Sequence, residues 1–299
     1  MFEFLKKLFS GAGGLPEPGR LDVRELSRRL AVSEVQLRGV PISYRTFSIR
    51  KRTGGERVIA VPGDALKAMQ KRILRRLLGR LRAHPCATGF ERGHSIVSNA
   101  MPHVGQDVVI KLDIKDFFTS TTARRIEAYF RRIGWDADAA KLLTTLCTRE
   151  GSLPQGGCTS PRLSNLVNWR LDARLFALAQ QQGLAYSRYA DDLTFSGVAS
   201  GKREVNGVIH TARWIADEEG YKLHTDKKLR IARKHDRQVV TGLVVNQKVD
   251  LPRSTRRRLR AIEHHLKQGK PATLTPQQMA GWHALQSMIR AQADQQSGS

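Results

Sequence analysis

Apolar residues recur every three or four positions over several long stretches of the sequence, which is the spacing of amphipathic helices. Between Leu66 and Leu81 they alternate with arginines and lysines, so one face of the predicted helix is apolar and the other is basic. The same spacing continues from Ser160 to Gln182 and predicts one long helix there. Further helices are predicted over residues 21–30, 33–37, 123–133, 137–147, 203–219, 254–269 and 276–292.

Other stretches have the pattern of strands. Apolar and polar residues alternate on both sides of Thr53-Gly54-Gly55, which predicts a β-hairpin over residues 44–61. The run Val108–Leu112 is apolar except for one lysine and predicts a buried central strand. Residues 184–188 and 193–195 are strand-like and flank a predicted tight turn at residues 189–192, and residues 238–249 are β-rich. Together these patterns favour an α+β fold.

The charge of the chain points to a polyanionic partner. Lysine and arginine total 51 against 27 for aspartate and glutamate, a formal net charge of +24 in 299 residues. Such an excess repels itself unless a polyanion neutralises it, and nucleic acid is the leading partner because its phosphates release counterions on binding. An anionic membrane surface is the alternative, but the basic residues are spread through the predicted elements rather than gathered in one tail.

The cysteines and the N-terminal segment suggest a cytoplasmic protein. The three cysteines, Cys86, Cys147 and Cys158, are far apart in the sequence and form no C-x-x-C pair, which disfavours a disulfide framework or a zinc site. The first residues lack the long apolar region of a signal peptide, and no stretch approaches the length of a membrane-spanning helix. We therefore expect a reducing compartment and no membrane association.

Three aspartates have the sequence context of a metal site. Asp113 ends the apolar run of the predicted central strand, and Asp191-Asp192 lie at the predicted tight turn. Adjacent residues of a regular strand point to opposite faces, but at a hairpin turn both can reach one cavity. Mg²⁺ prefers carboxylate oxygens, and two Mg²⁺ ions suit nucleotidyl transfer. Taken singly, an Asp-Asp pair is more often a solvated turn and an aspartate after an apolar run is often a helix N-cap.

Several motifs occur in one order along the chain and carry a resemblance to a known family. They read KLDIKDFF at 111–118, LPQGGCTSPRLSNL at 153–166, YADDLTFS at 189–196 and GYKLHTDKK at 220–228. Over about residues 44–248 the chain resembles a bacterial reverse transcriptase. Two further motifs, NAMPH at 99–103 and VTG at 240–242, resemble the signatures of the retron type.

The resemblance implies a right-hand polymerase with fingers, a palm made of an antiparallel sheet plus helices, and a helical thumb. The implied divisions are an N-terminal segment at 1–20, fingers at 21–105, palm at 106–245 with part of the fingers at about 118–158, and thumb at 246–299. The resemblance also assigns two Mg²⁺ ions, for which Mn²⁺ can substitute, to Asp113, Asp191 and Asp192.

The resemblance implies roles in nucleotide binding for further residues. Arg57, with Lys51 or Arg50, corresponds to the fingers residues that bind the triphosphate, in agreement with the fit of arginine to phosphate oxygens. Other roles fall to Gln155, which contacts the incoming nucleotide and template; to Phe118 or Phe117, the steric gate against a ribose 2′-OH; and to Lys228 or Lys227, which protonates pyrophosphate. The family often has threonine after this lysine, whereas Leu229 stands here, which weakens the register of that motif.

Recognition of RNA is implied for three segments. These are the retron signatures, with Asn99, His103, Val240, Thr241 and Gly242, and the basic helix after Pro252, with Arg256, Arg257 and Arg260. In that helix Leu259, Ile262 and Leu266 form the predicted buried stripe, which leaves the arginines to face phosphates. A solvated helix face is the alternative interpretation.

A retron enzyme copies part of a structured non-coding RNA from its own locus into DNA and leaves a branched RNA–DNA product, msDNA. The partners implied are this RNA and its cDNA, dNTPs, a separate effector protein in anti-phage defence, and a host ribonuclease H, since we expect no ribonuclease H-like domain after Lys248. The alternatives are a group II intron-like or abortive-infection reverse transcriptase, and a catalytically silent RNA-binding scaffold. The three intact aspartates argue against the scaffold.

Overall fold

The computed structural model describes residues 21–50, 54–198, 201–224 and 229–297. The chain divides into two compact units: the first consists of Met1–His84 and Asp116–Arg170, and the second of Pro85–Lys115 and Leu171–Ser299. The predicted mixture of helices and antiparallel strands is confirmed. The predicted N-terminal segment at 1–20 lies outside the described residues.

The first unit is mainly helical and has its own core. Leu26, Leu30, Ile73, Leu143 and Leu163 lie fully buried in one apolar cluster, as the helical periodicity predicts. Its elements are α1 (Val23–Leu30), α2 (Glu34–Arg38), β1 (Tyr44–Arg50), β2 (Glu56–Pro62), α3 (Asp64–Arg76), a 3₁₀ turn (Leu78–Arg80), α5 (Phe117–Ser120), α6 (Ala123–Arg132), α7 (Ala137–Cys147) and α8 (Ser160–Val167). The helix α4 (Ile96–Ala100) belongs to the second unit, and α9 (Trp169–Gln181) begins in the first unit and continues into the second.

The predicted hairpin forms from β1 and β2 as an antiparallel pair, in which Ile49 lies opposite Arg57 and Arg50 lies opposite Glu56. Both strands are largely exposed towards their turn, and only Ala60 and Pro62 of β2 are buried. Thr53 of the predicted turn lies outside the described residues. This hairpin therefore presents most of its side chains to solvent.

The prediction of one long helix over 160–182 is wrong, because the chain breaks between α8 and α9 at Asn168. The buried Asn168 side chain donates to the carbonyl of Ser164 (2.8 Å) and accepts from Arg125 (2.9 Å). Asparagine side chains that bind nearby backbone groups compete with the helix. The five leucines and one valine at the apolar positions of this stretch are nonetheless buried: Leu163, Leu166, Val167, Leu171, Leu175 and Leu178.

The predicted helix over 66–81 is too long, since α3 ends at Arg76 and a 3₁₀ turn follows. The guanidinium of Arg162 donates to the carbonyls of Leu78 and Leu81. These carbonyls are thereby satisfied by a side chain rather than by further helical turns.

The second unit contains a four-stranded antiparallel sheet in the order β4-β5-β3-β6. The central strand β3 pairs along its whole length with β5, from Val108 opposite Gly197 to Asp113 opposite Asp192. The unit's elements are α4 (Ile96–Ala100), a 3₁₀ turn (Met101–His103), β3 (Val108–Asp113), β4 (Ala185–Tyr189), β5 (Asp192–Gly197), α10 (Lys202–Glu218), β6 (Arg230–Arg233), β7 (Val239–Val240), β8 (Leu243–Val244), α11 (Arg253–Lys267) and α12 (Pro276–Ser297).

The C-terminal part of the second unit packs around a separate apolar cluster. Val97, Val240, Leu259 and Ile262 are buried there, and Leu266 packs against them, which confirms the predicted stripe of α11. The β-rich segment predicted over 238–249 is reduced to the two-residue strands β7 and β8. None of the helices described is both long and apolar enough to cross a membrane.

Candidate active site

The turn between β4 and β5 carries the Asp191-Asp192 pair. Tyr189 lies opposite Asp192, so the turn consists of Ala190 and Asp191 alone. Ala190 has φ 58°, in the left-handed region that an alanine enters at a cost. The predicted strand, turn, strand arrangement is confirmed, and it presents Asp191 at the tip of a tight hairpin.

The sheet brings Asp113 to the same corner of the second unit. Asp113 ends β3 directly opposite Asp192, and the amide of the next residue, Ile114, donates to the carbonyl of Asp191 (2.9 Å). The Asp113 side chain is largely buried and that of Asp192 is partly exposed. The backbones of the three aspartates therefore lie at one corner of the sheet, although Asp113 is 78 residues from Asp191 in the sequence.

Two cationic or potentially cationic side chains lie beside these carboxylates. The Lys111 Nζ is 4.0 Å from an Asp192 carboxylate oxygen, and the His224 Nε2 is 3.5 Å from Asp113 Oδ1. The backbone amide of His224 also donates to the carbonyl of Asp113 (2.9 Å). Sequence reasoning missed His224, although it lies inside the GYKLHTDKK motif, which was a usable signal.

The donor chemistry of this corner fits Mg²⁺. Carboxylate oxygens are the hard ligands that Mg²⁺ prefers, and Asp113 and Asp192 supply them from neighbouring strands. In the parts of the chain that the structure describes, no group of three or more His, Cys, Asp or Glu side chains is arranged to hold a metal ion. The shared ligation by Asp113, Asp191 and Asp192 therefore stays a prediction.

The arginines predicted to bind a triphosphate lie on the exposed β1–β2 hairpin. Arg50 and Arg57 are both exposed, and the alternation of strand side chains puts them on opposite faces of the hairpin. Lys51 lies outside the described residues. Arg50 therefore lies on one face of the hairpin and Arg57 on the other.

The loop of the LPQGG motif is held against the same hairpin. The Ala60 amide donates to the carbonyl of Gln155 (2.7 Å), and Gly156 has φ 115°. A Cβ on Gly156 would stand 2.8 Å from the Ala60 carbonyl oxygen. The backbone at this glycine thus approaches strand β2 closely.

The two candidate sugar gates differ in burial. Phe117 is 3% exposed, whereas Phe118 is half-buried and packs at the edge of the first unit's core. The two rings lie 5.5 Å apart. The proposed proton donors Lys227 and Lys228 lie outside the described residues.

Comparison with known proteins identifies the family. Residues 49–245 match the family model described as reverse transcriptase (RNA-dependent DNA polymerase). The chain is 34% identical to the Retron Ec86 reverse transcriptase of Escherichia coli, over 90% of this chain and 84% of that protein. This chain belongs to the retron family of reverse transcriptases.

Two relatives of this retron family member come from Myxococcus xanthus. It is 38% identical to the Retron Mx162 reverse transcriptase, over 87% of this chain and 61% of that protein. It is 40% identical to the Retron Mx65 reverse transcriptase, over 74% of this chain and 55% of that protein. The retron family member thus spans less than two thirds of the length of these two relatives.

The NAMPH signature of this retron family member faces the protein interior. Asn99 and His103 are both buried: Asn99 Oδ1 accepts from the Thr88 hydroxyl (2.6 Å), and the His103 ring nitrogens bond the hydroxyls of Ser196 (2.7 Å) and Ser187 (2.8 Å). Burial lowers the pKa of His103 to about 4, so the ring is neutral at physiological pH. The His103 ring therefore supports the β4–β5 hairpin through Ser187 and Ser196, and a role of Asn99 and His103 in RNA recognition stays a prediction.

The VTG signature forms the turn between β7 and β8. Thr241 (φ 46°) and Gly242 (φ 84°) are both left-handed, as in a type I′ turn, and Val240 is buried. The Thr241 hydroxyl donates to the carbonyl of Ile96 (2.8 Å). The turn is therefore fastened to α4, the helix that carries Asn99.

The arginines of α11 are exposed, as predicted, but they are not equivalent. Arg256 forms an ion pair with Asp250 (2.8 Å), while Arg257 and Arg260 project from the exposed face of the helix. The charge of Arg256 is thus partly neutralised within the protein.

A buried ion pair behind the turn at Ala190-Asp191 was missed by sequence reasoning. Arg188 and Asp172 are both 0% exposed and form a bidentate pair with two contacts of 2.6 Å. Burial alone would lower the pKa of Arg188, but the charge and hydrogen bonds of Asp172 outweigh it and hold that pKa above its ordinary value. The signal in the sequence was a charged residue within the predicted strand at residues 184–188.

Proposed function

We propose that the chain is an active RNA-directed DNA polymerase that copies part of a cognate structured non-coding RNA into single-stranded DNA. The observation that carries this proposal is the meeting of Asp113 with Asp192 across neighbouring strands, beside the turn that presents Asp191. In a member of the retron family of reverse transcriptases, this corner is the natural place for nucleotidyl transfer. The presence of all three aspartates at this corner of the sheet argues against a silent RNA-binding scaffold.

In this proposal Asp113, Asp191 and Asp192 hold the metal ions. Bound Mg²⁺ supplies charge stabilisation for the attacking and leaving oxygens of nucleotidyl transfer. Lys111 and His224 lie beside the carboxylates and offset part of their negative charge, His224 only when protonated. Lys228 donates the proton that leaves with pyrophosphate, with Lys227 as the alternative.

The first unit binds the nucleotide in this proposal. Arg57 binds the triphosphate through its forked donors, helped by Lys51. Arg50 is the weaker candidate for this help, because it lies on the opposite face of the hairpin from Arg57. Gln155 contacts the incoming nucleotide from the loop that the Ala60 amide holds. Phe118 excludes the ribose 2′-OH, because it is the less buried of the two candidate rings.

The architecture proposed is that of a right hand. The four-stranded sheet forms the palm, the β1–β2 hairpin belongs to the fingers, and α11 and α12 form the thumb. The product is a branched RNA–DNA molecule whose template is removed by a separate ribonuclease H, and a separate effector protein acts with it in anti-phage defence. Family membership alone supports these last elements.

The proposed RNA-binding surface is the exposed face of α11, with Arg257 and Arg260 as its principal phosphate contacts and Arg256 as a weaker one. Asn99, His103 and Thr241 act indirectly, since their side-chain bonds run to Thr88, to Ser187 and Ser196, and to Ile96 within the second unit.

The test is DNA synthesis by purified protein on poly(rA) primed with oligo(dT), in Mg²⁺ and radiolabelled dTTP. We expect Asp192→Asn and Asp113→Asn each to lower the rate by at least about 100-fold. Each removes a carboxylate that would bind the metal ions, and those ions stabilise the charge of the transition state. RNA affinity should be unchanged. The matched control is Asp138→Asn, which removes an exposed carboxylate paired with Arg38 on the first unit. Synthesis by Asp192→Asn at the rate of this control would refute the site, and binding of RNA without synthesis by the wild type would favour the scaffold.

A further inference from the structure

The pair formed by Arg188 and Asp172 lies directly behind the turn that presents Asp191. Arg188 is in β4, one residue before the strand ends, and Asp172 lies in α9. Burying two charges is expensive, and well-packed apolar residues of similar volume often serve stability equally well. Stability alone therefore does not explain an arginine and an aspartate at these positions. The donor of Arg188 that Asp172 leaves over points to a second role for the pair.

One donor of Arg188 reaches the turn itself. While Nε and Nη2 bind Asp172, Nη1 donates to the carbonyl oxygen of Ala190 (3.0 Å). That carbonyl belongs to the peptide that joins Ala190 to Asp191, and Ala190 is the residue with left-handed φ. A residue with a Cβ persists in this conformation only when its surroundings hold it there. The hydrogen bond from Arg188 fixes the orientation of this peptide.

A second segment holds the backbone on the other side. The Arg188 amide donates to the carbonyl of Cys86 (2.8 Å), and the Thr88 amide donates to the carbonyl of Arg188 (2.9 Å). Next to them, a Cβ on Gly89 would stand 2.6 Å from the Ala190 nitrogen, so only glycine leaves room for this approach. The strand is thus fixed by its backbone, and the guanidinium is fixed by Asp172.

We propose that Arg188, oriented by Asp172, is a positioning residue that sets the direction of Asp191 through the carbonyl of Ala190. This rests on the proposed function, since the direction of Asp191 matters to a reaction only if that carboxylate serves nucleotidyl transfer. The planar guanidinium suits the task because one fork can bind a carboxylate while another nitrogen donates elsewhere, which a lysine ammonium on its flexible stem cannot reproduce.

The decisive variant is the double substitution Arg188→Met with Asp172→Leu. It removes both charges together, so neither is left buried without its partner, and it fills their space with apolar groups. We expect the melting temperature to stay within a few degrees of wild type. We expect kcat on primed poly(rA) to fall about 10- to 100-fold, since a small misplacement of a reacting group has an effect of that size. The KM for dTTP should change by less than about threefold, because nucleotide binding lies elsewhere.

A second readout does not depend on activity. Hydrogen–deuterium exchange should be faster in the double variant for the peptide that spans residues 187–193, with little change in α10. The matched control is Arg174→Gln, which breaks an ion pair of the same helix with Glu218 and Glu219 but makes no described contact with the turn. It should keep the wild-type kcat and the wild-type exchange of that peptide.

A rescue experiment separates positioning from general loosening. Ala190→Gly added to the double variant should recover at least about threefold of the lost kcat, because glycine enters the left-handed region without the Cβ penalty. Ala190→Gly in the wild-type background is the reference for that gain. A structural role of the pair in packing α9 against β4 predicts no such recovery.

Each outcome decides the matter. Wild-type kcat in the folded double variant overturns the proposal, as does a loss of kcat with unchanged exchange at residues 187–193 or without recovery by Ala190→Gly. If the double variant does not fold, Arg188→Lys takes its place, since it keeps a charge beside Asp172 and loses the fork, and the same results are required. Absence of DNA synthesis by the wild type would refute the proposed function instead, and the exchange measurement would still test Arg188.

Discussion

The two hairpins that carry the proposed catalytic and nucleotide-binding side chains have opposite settings. The β1–β2 hairpin exposes Arg50 and Arg57, and its first strand is exposed at almost every position. The β4–β5 hairpin is buried along most of its length and is backed by hydrogen bonds to Arg188 and His103. A side chain that binds a diffusible nucleotide can remain adaptable, whereas one that holds a metal ion must be placed before the reaction begins.

The largest expected difference between the hairpins is in stability. Arg188→Ala leaves Asp172 buried without its partner and should lower the free energy of unfolding by about 3–5 kcal/mol. Arg57→Ala removes an exposed side chain and should change it by no more than about 0.5 kcal/mol, while raising the KM for dNTP. Urea denaturation of the two variants measures the contrast. Equal stability losses would show that burial does not distinguish the hairpins.

The two adjacent phenylalanines give a similar contrast within the first unit. Phe117→Ala should destabilise the protein by about 3–5 kcal/mol, because it empties a buried site. Phe118→Ala should cost less and should raise the use of ribonucleotides relative to deoxyribonucleotides, since the half-buried ring is the proposed gate. Competition between ATP and dATP on a poly(rU) template measures the choice of sugar. Unchanged discrimination in a folded Phe118→Ala variant would transfer the role to Phe117.

Acid should lower the free energy of unfolding, because the buried His103 ring that supports the β4–β5 hairpin must be neutral in the folded protein. The pKa of His103 is lowered by burial from 6.5 to about 4, so the unfolded chain takes up a proton at higher pH than the folded protein does. This contribution to stability is complete above pH 6.5 and is lost as the pH falls towards 4, by about 3 kcal/mol in total. Denaturation at several pH values should show this loss in the wild type, and His103→Gln should lack it. The same pH slope in both proteins would contradict the assignment.

The sequence predicted those features that depend on neighbouring residues. Helix α7 has the predicted bounds Ala137–Cys147, because the Asp136 side chain caps its amide at Ala139 (2.8 Å) and the apolar period continues to Cys147. The turn at Ala190-Asp191 was predicted because strand-like residues flank it on both sides. The meeting of Asp113 with this turn was inferred from the family resemblance, since no local pattern relates residues so far apart.

Features that depend on distant partners were missed. The break at Asn168 involves Arg125, the end of α3 involves Arg162, and the buried role of His103 involves Ser187 and Ser196. In each case a polar side chain satisfies a group that is remote in the sequence, and periodicity carries no information about such a bond. Arg188 belongs to the same class, although a charged residue within the strand-like stretch 184–188 could have been noticed in the sequence.

The smallest expected effect concerns the exposed face of α11. On this helix Arg256 is ion-paired, whereas Arg257 has no ion pair among the residues that the structure describes. Arg257→Gln should reduce the slope of log affinity against log salt concentration for a duplex RNA by about 0.7–0.9, the value for one lost phosphate contact. Arg256→Gln should reduce it by less, because Arg256 is already paired with Asp250 at 2.8 Å and its charge releases fewer counterions on binding.

Filter binding between 50 and 300 mM KCl gives both slopes, and Asp250→Asn provides the control: once its partner is neutral, Arg256 should contribute like Arg257. Equal slopes for the two arginine variants in the presence of Asp250 would show that RNA displaces the ion pair at no cost, and a wild-type slope in both would move the RNA surface away from α11.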